Sequence, residues 1–209
     1  MGEIQTRSKD AERNGTLERC LSVSSIRALE GSERQFELSF SSEEPYERWW
    51  GTEILSHAEG SVDLTRLNTI GCVLYNHNRD KVIGKILSAS VSAEGRGVAQ
   101  VEFDDDAESD VIYKKVQSGT LKGVSVGYVV DVWEDVAANK KSADGRFAGP
   151  CSIATRWSPF EISIVSVPAD PTVGVGRSHE EQNQGVSGFY YDEKQLQINT
   201  NLLKEVKSK

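Results

Sequence analysis

Residues 120–130, TLKGVSVGYVV, alternate with a period of two. Val124, Val126, Tyr128 and Val130 share one face, and Gly123, Ser125 and Gly127 share the other. The alternation predicts a strand with one face in a core and a lone hydroxyl in a lane cleared of side chains. Glycine inside a strand weakens it and marks a bulge or the close approach of another segment. A serine in such a lane is open to an extended partner, provided something elsewhere in the chain activates it.

Outward from this strand the pattern stays β. Residues 20–29 and 34–42 read as two strands around the turn EGSE, and residues 43–68 as a loop rich in charge and aromatic rings. TIGCVLY, residues 69–75, is a buried strand that stops at the polar turn NHNRD. Residues 85–95 alternate with Leu87, Ala89, Val91 and Ala93 on one side, and GVAQVEF returns after EGRG as a hairpin. Residues 104–119 are the best helix, with acidic residues and Ser at the start, lysines late and Gly119 at the end. Residues 134–150 form a polar loop long enough to serve as a lid, and FEISIVSV, residues 160–167, is the last strand before Pro168. No βαβ alternation is present, so the class is mainly β with one or two helices.

With 209 residues the chain makes one domain with tails: a charged leader over 1–18, a domain over 19–177 and a linker with a tail over 178–209. A net charge of −8 without a basic cluster argues against a nucleic-acid partner. Three cysteines, Cys20, Cys72 and Cys151, stand far apart, which points to a reducing compartment and away from a disulfide framework or a zinc site. No metal or other cofactor is expected. No apolar run approaches a membrane span, so a soluble intracellular protein is expected.

A serine hydroxyl attacks only when a base takes its proton, and histidine is the usual base near neutrality. Of the three histidines, His179 falls in the linker, His57 in a loop, and His77 directly after the strand CVLY, where a tight turn holds it in place. Glu161 opens the last strand between Phe160 and Ile162, and a carboxylate in such company tends to be partnered. Plainer readings fit the same residues: a barrel corner for Gly-Val-Ser-Val-Gly, a surface turn for the histidine, a polar strand edge for the glutamate.

RWWGTEILSHAEGSVDLTRLN, VLYNHNRDKVIGKI, DVIYKKVQSGTLKGVSVGYVV and FEISIVSVPADPTVGVGR together resemble the tailed-phage prohead proteases. These are serine peptidases related in fold to the herpesvirus maturation protease, and the resemblance runs from about residue 35 to residue 177. It implies a small closed β-barrel flanked by helices. It also implies a His–Ser pair with an acidic third member, which falls on His77, Ser125 and Glu161, with Asp170 the alternative acid. His57 is structural on this reading. Gly123 and Gly127 leave room for an extended substrate, and Arg156 is a candidate for oxyanion help by analogy with an arginine of the herpesvirus enzymes.

The family's substrates are the scaffold, the coat-protein extension and the protease itself. The resemblance thus implies an endopeptidase acting inside an assembling procapsid in the bacterial cytoplasm, with self-association and self-cleavage. A non-catalytic assembly component on the same barrel is the competing reading. On it, Trp49 and Trp50 are a shell contact; otherwise they are a lid over the barrel end.

Overall fold

The computed structural model describes residues 13–21, with only the backbone of Leu21, and residues 26–167. Asp170, Pro168 and the tail over 178–209 lie outside the described residues, as does most of the leader. Among the described residues ten strands and two whole helices follow one another: β1 (Leu17–Leu21), β2 (Ile26–Ala28), β3 (Gln35–Ser42), β4 (Tyr46–Arg48), β5 (Gly51–Leu55), α1 (Thr65–Ile70), β6 (Cys72–Tyr75), β7 (Asn78–Val91), β8 (Arg96–Phe103), α2 (Ala107–Gln117), β9 (Gly123–Val136) and β10 (Cys151–Val165). The strand order is β1-β9-β10-β6-β7-β8-β3-β2, with the β4–β5 hairpin branching from β10.

The sheet curls into a half-barrel around Phe40, Val101, Val126, Tyr128, Trp157 and Ile164, all fully buried. The closed barrel expected from the sequence is not shown. Strand β3 comes against β1 and β9, but no ladder joins them among the described residues. β10 is the spine. β9 runs antiparallel along its whole length on one edge, while β5 and then β6 lie parallel to it, end to end, on the other.

Several elements differ from the sequence expectation for local reasons. β10 begins at Cys151 rather than near Phe160, because Pro159 sits inside it at a register shift between Pro159 and Glu161. Proline is tolerated in a strand at such an irregularity. Leu87 was expected on one side with Ala89, but a shift between Ile86 and Ser88 separates them, leaving Leu87 42% exposed while Ala89 is buried. The charged, aromatic stretch 43–68 holds β4, β5 and α1 instead of a plain loop. Leu17 and Glu18, assigned to the leader, belong to β1, and Arg13 is buried over the rings of Trp50 and Trp133. Helix α2 lies within the expected 104–119 and is capped by Asp106, whose carboxylate accepts from the backbone of Glu108 and Ser109 at 3.0 and 3.1 Å. Among the described residues no helix is long and apolar enough to cross a membrane.

Candidate active site

His77 owes its position to a two-residue turn. Asn76 and His77 have φ of 52° and 56°, and Tyr75 pairs with Asn78 across them. Two consecutive positive φ values in a two-residue hairpin are the signature of a type I′ turn, and Asn and His are among the residues that tolerate this region. The turn is stapled to β10. The Asn76 amide donates to the Ile164 carbonyl at 2.9 Å, the Asn76 side-chain oxygen accepts from the Ser166 amide at 2.9 Å, and the His77 amide donates to Ser163 Oγ at 3.1 Å.

Ser125 lies opposite Ser163 in the β9–β10 ladder, and Glu161 lies opposite Gly127. Their side chains therefore share one face of the sheet, under the imidazole. His77 Nε2 is 2.7 Å from Ser125 Oγ, and His77 Nδ1 is 2.6 Å from Glu161 Oε1. Three residues distant in sequence thus form one hydrogen-bonded chain. Nδ1–H donates to the carboxylate, which leaves the Nε2 lone pair facing the serine in the neutral ring.

Partial burial by itself lowers the pKa of His77. The hydrogen bond that Glu161 accepts from the ring and the charges of Glu161 and Glu18 outweigh it, and the net shift is upward. Glu18 reaches within 3.6 Å of Nε2 from β1. Strand β1 also touches the serine, because the Arg19 carbonyl accepts from Ser125 Oγ–H at 3.0 Å. One hydroxyl proton cannot serve both acceptors. In the imidazolium state Nε2–H donates to Oγ and the serine proton rests on the Arg19 carbonyl. In the neutral state that proton turns to Nε2.

The glycine lane serves a different purpose from the one expected. A Cβ on Gly127 would stand 2.5 Å from Glu161 Oε1 and 2.8 Å from the Phe160 ring, and one on Gly123 would stand 2.7 Å from the Val165 carbonyl. The lane is filled by β10 and holds the chain's own carboxylate. Open space lies beside Ser125 and His77, where a cleft of about 350 Å³ is lined by Glu18, Cys20, Asn76, His77, Ser125 and Ser166, among others, and by neither glycine.

Arg156 is also not at the site. It pairs with Val132 in the ladder, seven residues along β10 from Ser163, or roughly 20 Å at about 3.3 Å per residue. Its side chain is 64% exposed, beside Asp131.

His57 belongs to a second Ser–His pair of different character. Its Nδ1–H donates to the Leu55 carbonyl at 2.9 Å and its Nε2 accepts from Ser41 Oγ at 2.7 Å. Burial, against smaller opposing contributions, holds its pKa down to about 4. With a backbone carbonyl where His77 has a carboxylate, and with both partners buried, the pair ties β3 to the segment after β5. Ser163, Glu18 and the Arg19 carbonyl were missed on sequence. Only Ser163 carried a signal, two residues after Glu161 on the same strand face. No group of His, Cys, Asp and Glu suited to a metal ion occurs among the described residues.

The profile of the caudovirus prohead serine protease family matches residues 52–185. The chain belongs to that family. The matched span of this prohead serine protease family member includes Ser125, His77 and Glu161 but not β1. A relative, the major capsid protein of Halomonas phage phiHAP-1, is 35% identical over 153 residues, covering 72% of this chain and 24% of that protein. The chain thus matches only about a quarter of the length of that relative. No solved structure matches.

Proposed function

We propose that the chain is a serine endopeptidase of phage head maturation. The observation that carries this reading is the unbroken relay from Glu161 through His77 to Ser125, at 2.6 and 2.7 Å, in a member of the prohead serine protease family. His77 Nε2 takes the hydroxyl proton as Ser125 Oγ bonds to the scissile carbonyl carbon. The same proton passes to the amine as the C–N bond breaks, leaving an ester on Ser125. Water, deprotonated by His77, then attacks the ester, the new carboxyl end departs, and Oγ regains its proton. Glu161 holds the ring in the required tautomer and stabilises the imidazolium.

The substrates in this reading are the scaffold and the coat-protein extension, cut inside the assembling shell in the host cytoplasm. Self-association and self-cleavage accompany that setting. The test is labelling with a fluorophosphonate, followed by processing in a co-expressed procapsid. Wild-type protein should be labelled on Ser125 and should process the shell proteins, and Ser125→Ala should do neither. Normal processing by Ser125→Ala sinks the proposal. The relative named as a major capsid protein favours a second reading, an assembly element without catalysis, under which His77→Ala leaves processing unchanged.

A further inference from the structure

The two ends of the relay meet again at a fourth residue. Ser163 Oγ accepts from the His77 amide at 3.1 Å and donates to Glu161 Oε2 at 2.8 Å. Oε2 is the carboxylate oxygen that the imidazole leaves unused, since Nδ1 is bonded to Oε1. We infer that Ser163 is a positioning residue, a single hydroxyl that fixes the base and its carboxylate to one another and, through the facing ladder position, to the nucleophile. The inference rests on the peptidase reading for its catalytic consequence.

The physical case has three parts. A carboxylate held by one oxygen rotates about its last bond, whereas one held at both oxygens does not. A histidine in a left-handed turn rests on a loop that needs outside anchors, and the His77 amide has one in Ser163 rather than in another backbone group. Ser163 is 0% exposed and directly opposite Ser125 in the β9–β10 ladder, so its oxygen is placed by the sheet itself. A hydroxyl suits this position because it donates and accepts at once. Alanine removes both bonds and leaves the part-buried His77 amide and a carboxylate oxygen each short of a partner.

The experiment is a double-mutant cycle on the full chain, read as kcat and KM on a peptide substrate, with Ser163→Ala, Glu161→Ala and the pair. Ser163→Ala should lower kcat about 10- to 100-fold with KM within about twofold. In the Glu161→Ala background the same change should cost less than about threefold, because the carboxylate it holds is already gone and only the His77 amide contact is left to lose. Equal losses in both backgrounds, or a Ser163→Ala enzyme within about twofold of wild type, overturn the inference.

Hydrogen exchange of the His77 amide in the wild-type protein provides a second readout that needs no variant to fold. The amide should be protected although it sits in a turn, and exchange at the rate of a free turn amide also overturns the inference. Should the wild-type chain cleave nothing while that amide is protected and the His77 Nδ1–H proton resonance moves in Ser163→Ala, the peptidase reading fails and the positioning by Ser163 stands.

Discussion

At Gly127 one methyl group decides whether a carboxylate keeps its place. Gly127→Ala would put a carbon 2.5 Å from Glu161 Oε1, the atom that Nδ1 holds. The Phe160 ring closes the same space, so the carboxylate has to yield. A displacement of about 1 Å at a reacting group costs roughly 10²-fold, and we expect that loss in kcat with KM little changed, measured on a peptide substrate. Glu18 acts through charge instead. It helps hold the pKa of His77 above its ordinary value, and the ring must be neutral to take a proton. Removing the charge with Glu18→Gln lowers that pKa, so more base is free at acidic pH. The acid limb of the kcat/KM profile should move to lower pH, and an unmoved limb would show that Glu18 does not act on the ring.

At the scale of elements, legibility followed local regularity. The β7–β8 hairpin, helix α2 with its acidic start and Gly119 end, and the Asn-His turn were readable because each is specified by neighbours in sequence. Ser125, His77 and Glu161 were selected from residue type and placement, and the family resemblance gave the selection its weight. What stayed hidden depends on register. The bulges near Leu87 and Pro159 shift a strand by one residue, and nothing in a two-residue period announces them. Arg156 and the purpose of the glycines were misjudged for the same reason, since both depend on which residue of β10 faces which residue of β9.

The β4–β5 hairpin shows another cost of reading locally. Glu53 is fully buried and accepts from the Tyr128 hydroxyl, while Arg48 bonds that hydroxyl at 2.7 Å and Glu53 Oε2 at 3.3 Å. Breaking a buried charged group by removing one partner costs roughly 3–5 kcal/mol. Glu53→Ala should destabilise the fold by about that much in urea unfolding, leaving the buried Tyr128 hydroxyl without its acceptor and the half-buried Arg48 without its counter-charge.

Across the whole molecule, acid stability should track His57. Burial holds its pKa at about 4 against an ordinary 6.5, so the folded state resists a proton that the unfolded chain accepts. This depressed pKa stabilises the protein fully above about pH 6.5, and the benefit is lost as pH falls towards 4, up to about 3 kcal/mol in all. Urea midpoints should drop over that window, and His57→Gln should flatten the slope. Titration of the His57 ring near 6.5 by NMR would contradict this. The loop over 137–150 belongs to the same district of the fold. Arg146 bonds both Glu43 oxygens at 2.8 Å and Ser56 at 3.1 Å, and Glu43 in turn accepts from the His57 amide at 2.6 Å. These bonds fasten the polar loop to the segment around His57, so trimming it should weaken the fold before it alters cleavage.

The Arg19 carbonyl gives the first strand a contact with Ser125 as well as a place in the sheet. Expression designs that start after Leu21 would strip the nucleophile of its resting acceptor and the imidazole of Glu18 in one cut. Such a truncated protein would report an altered serine even where the remaining strands stay folded, and hydroxyl reactivity measured on it would not describe the intact chain.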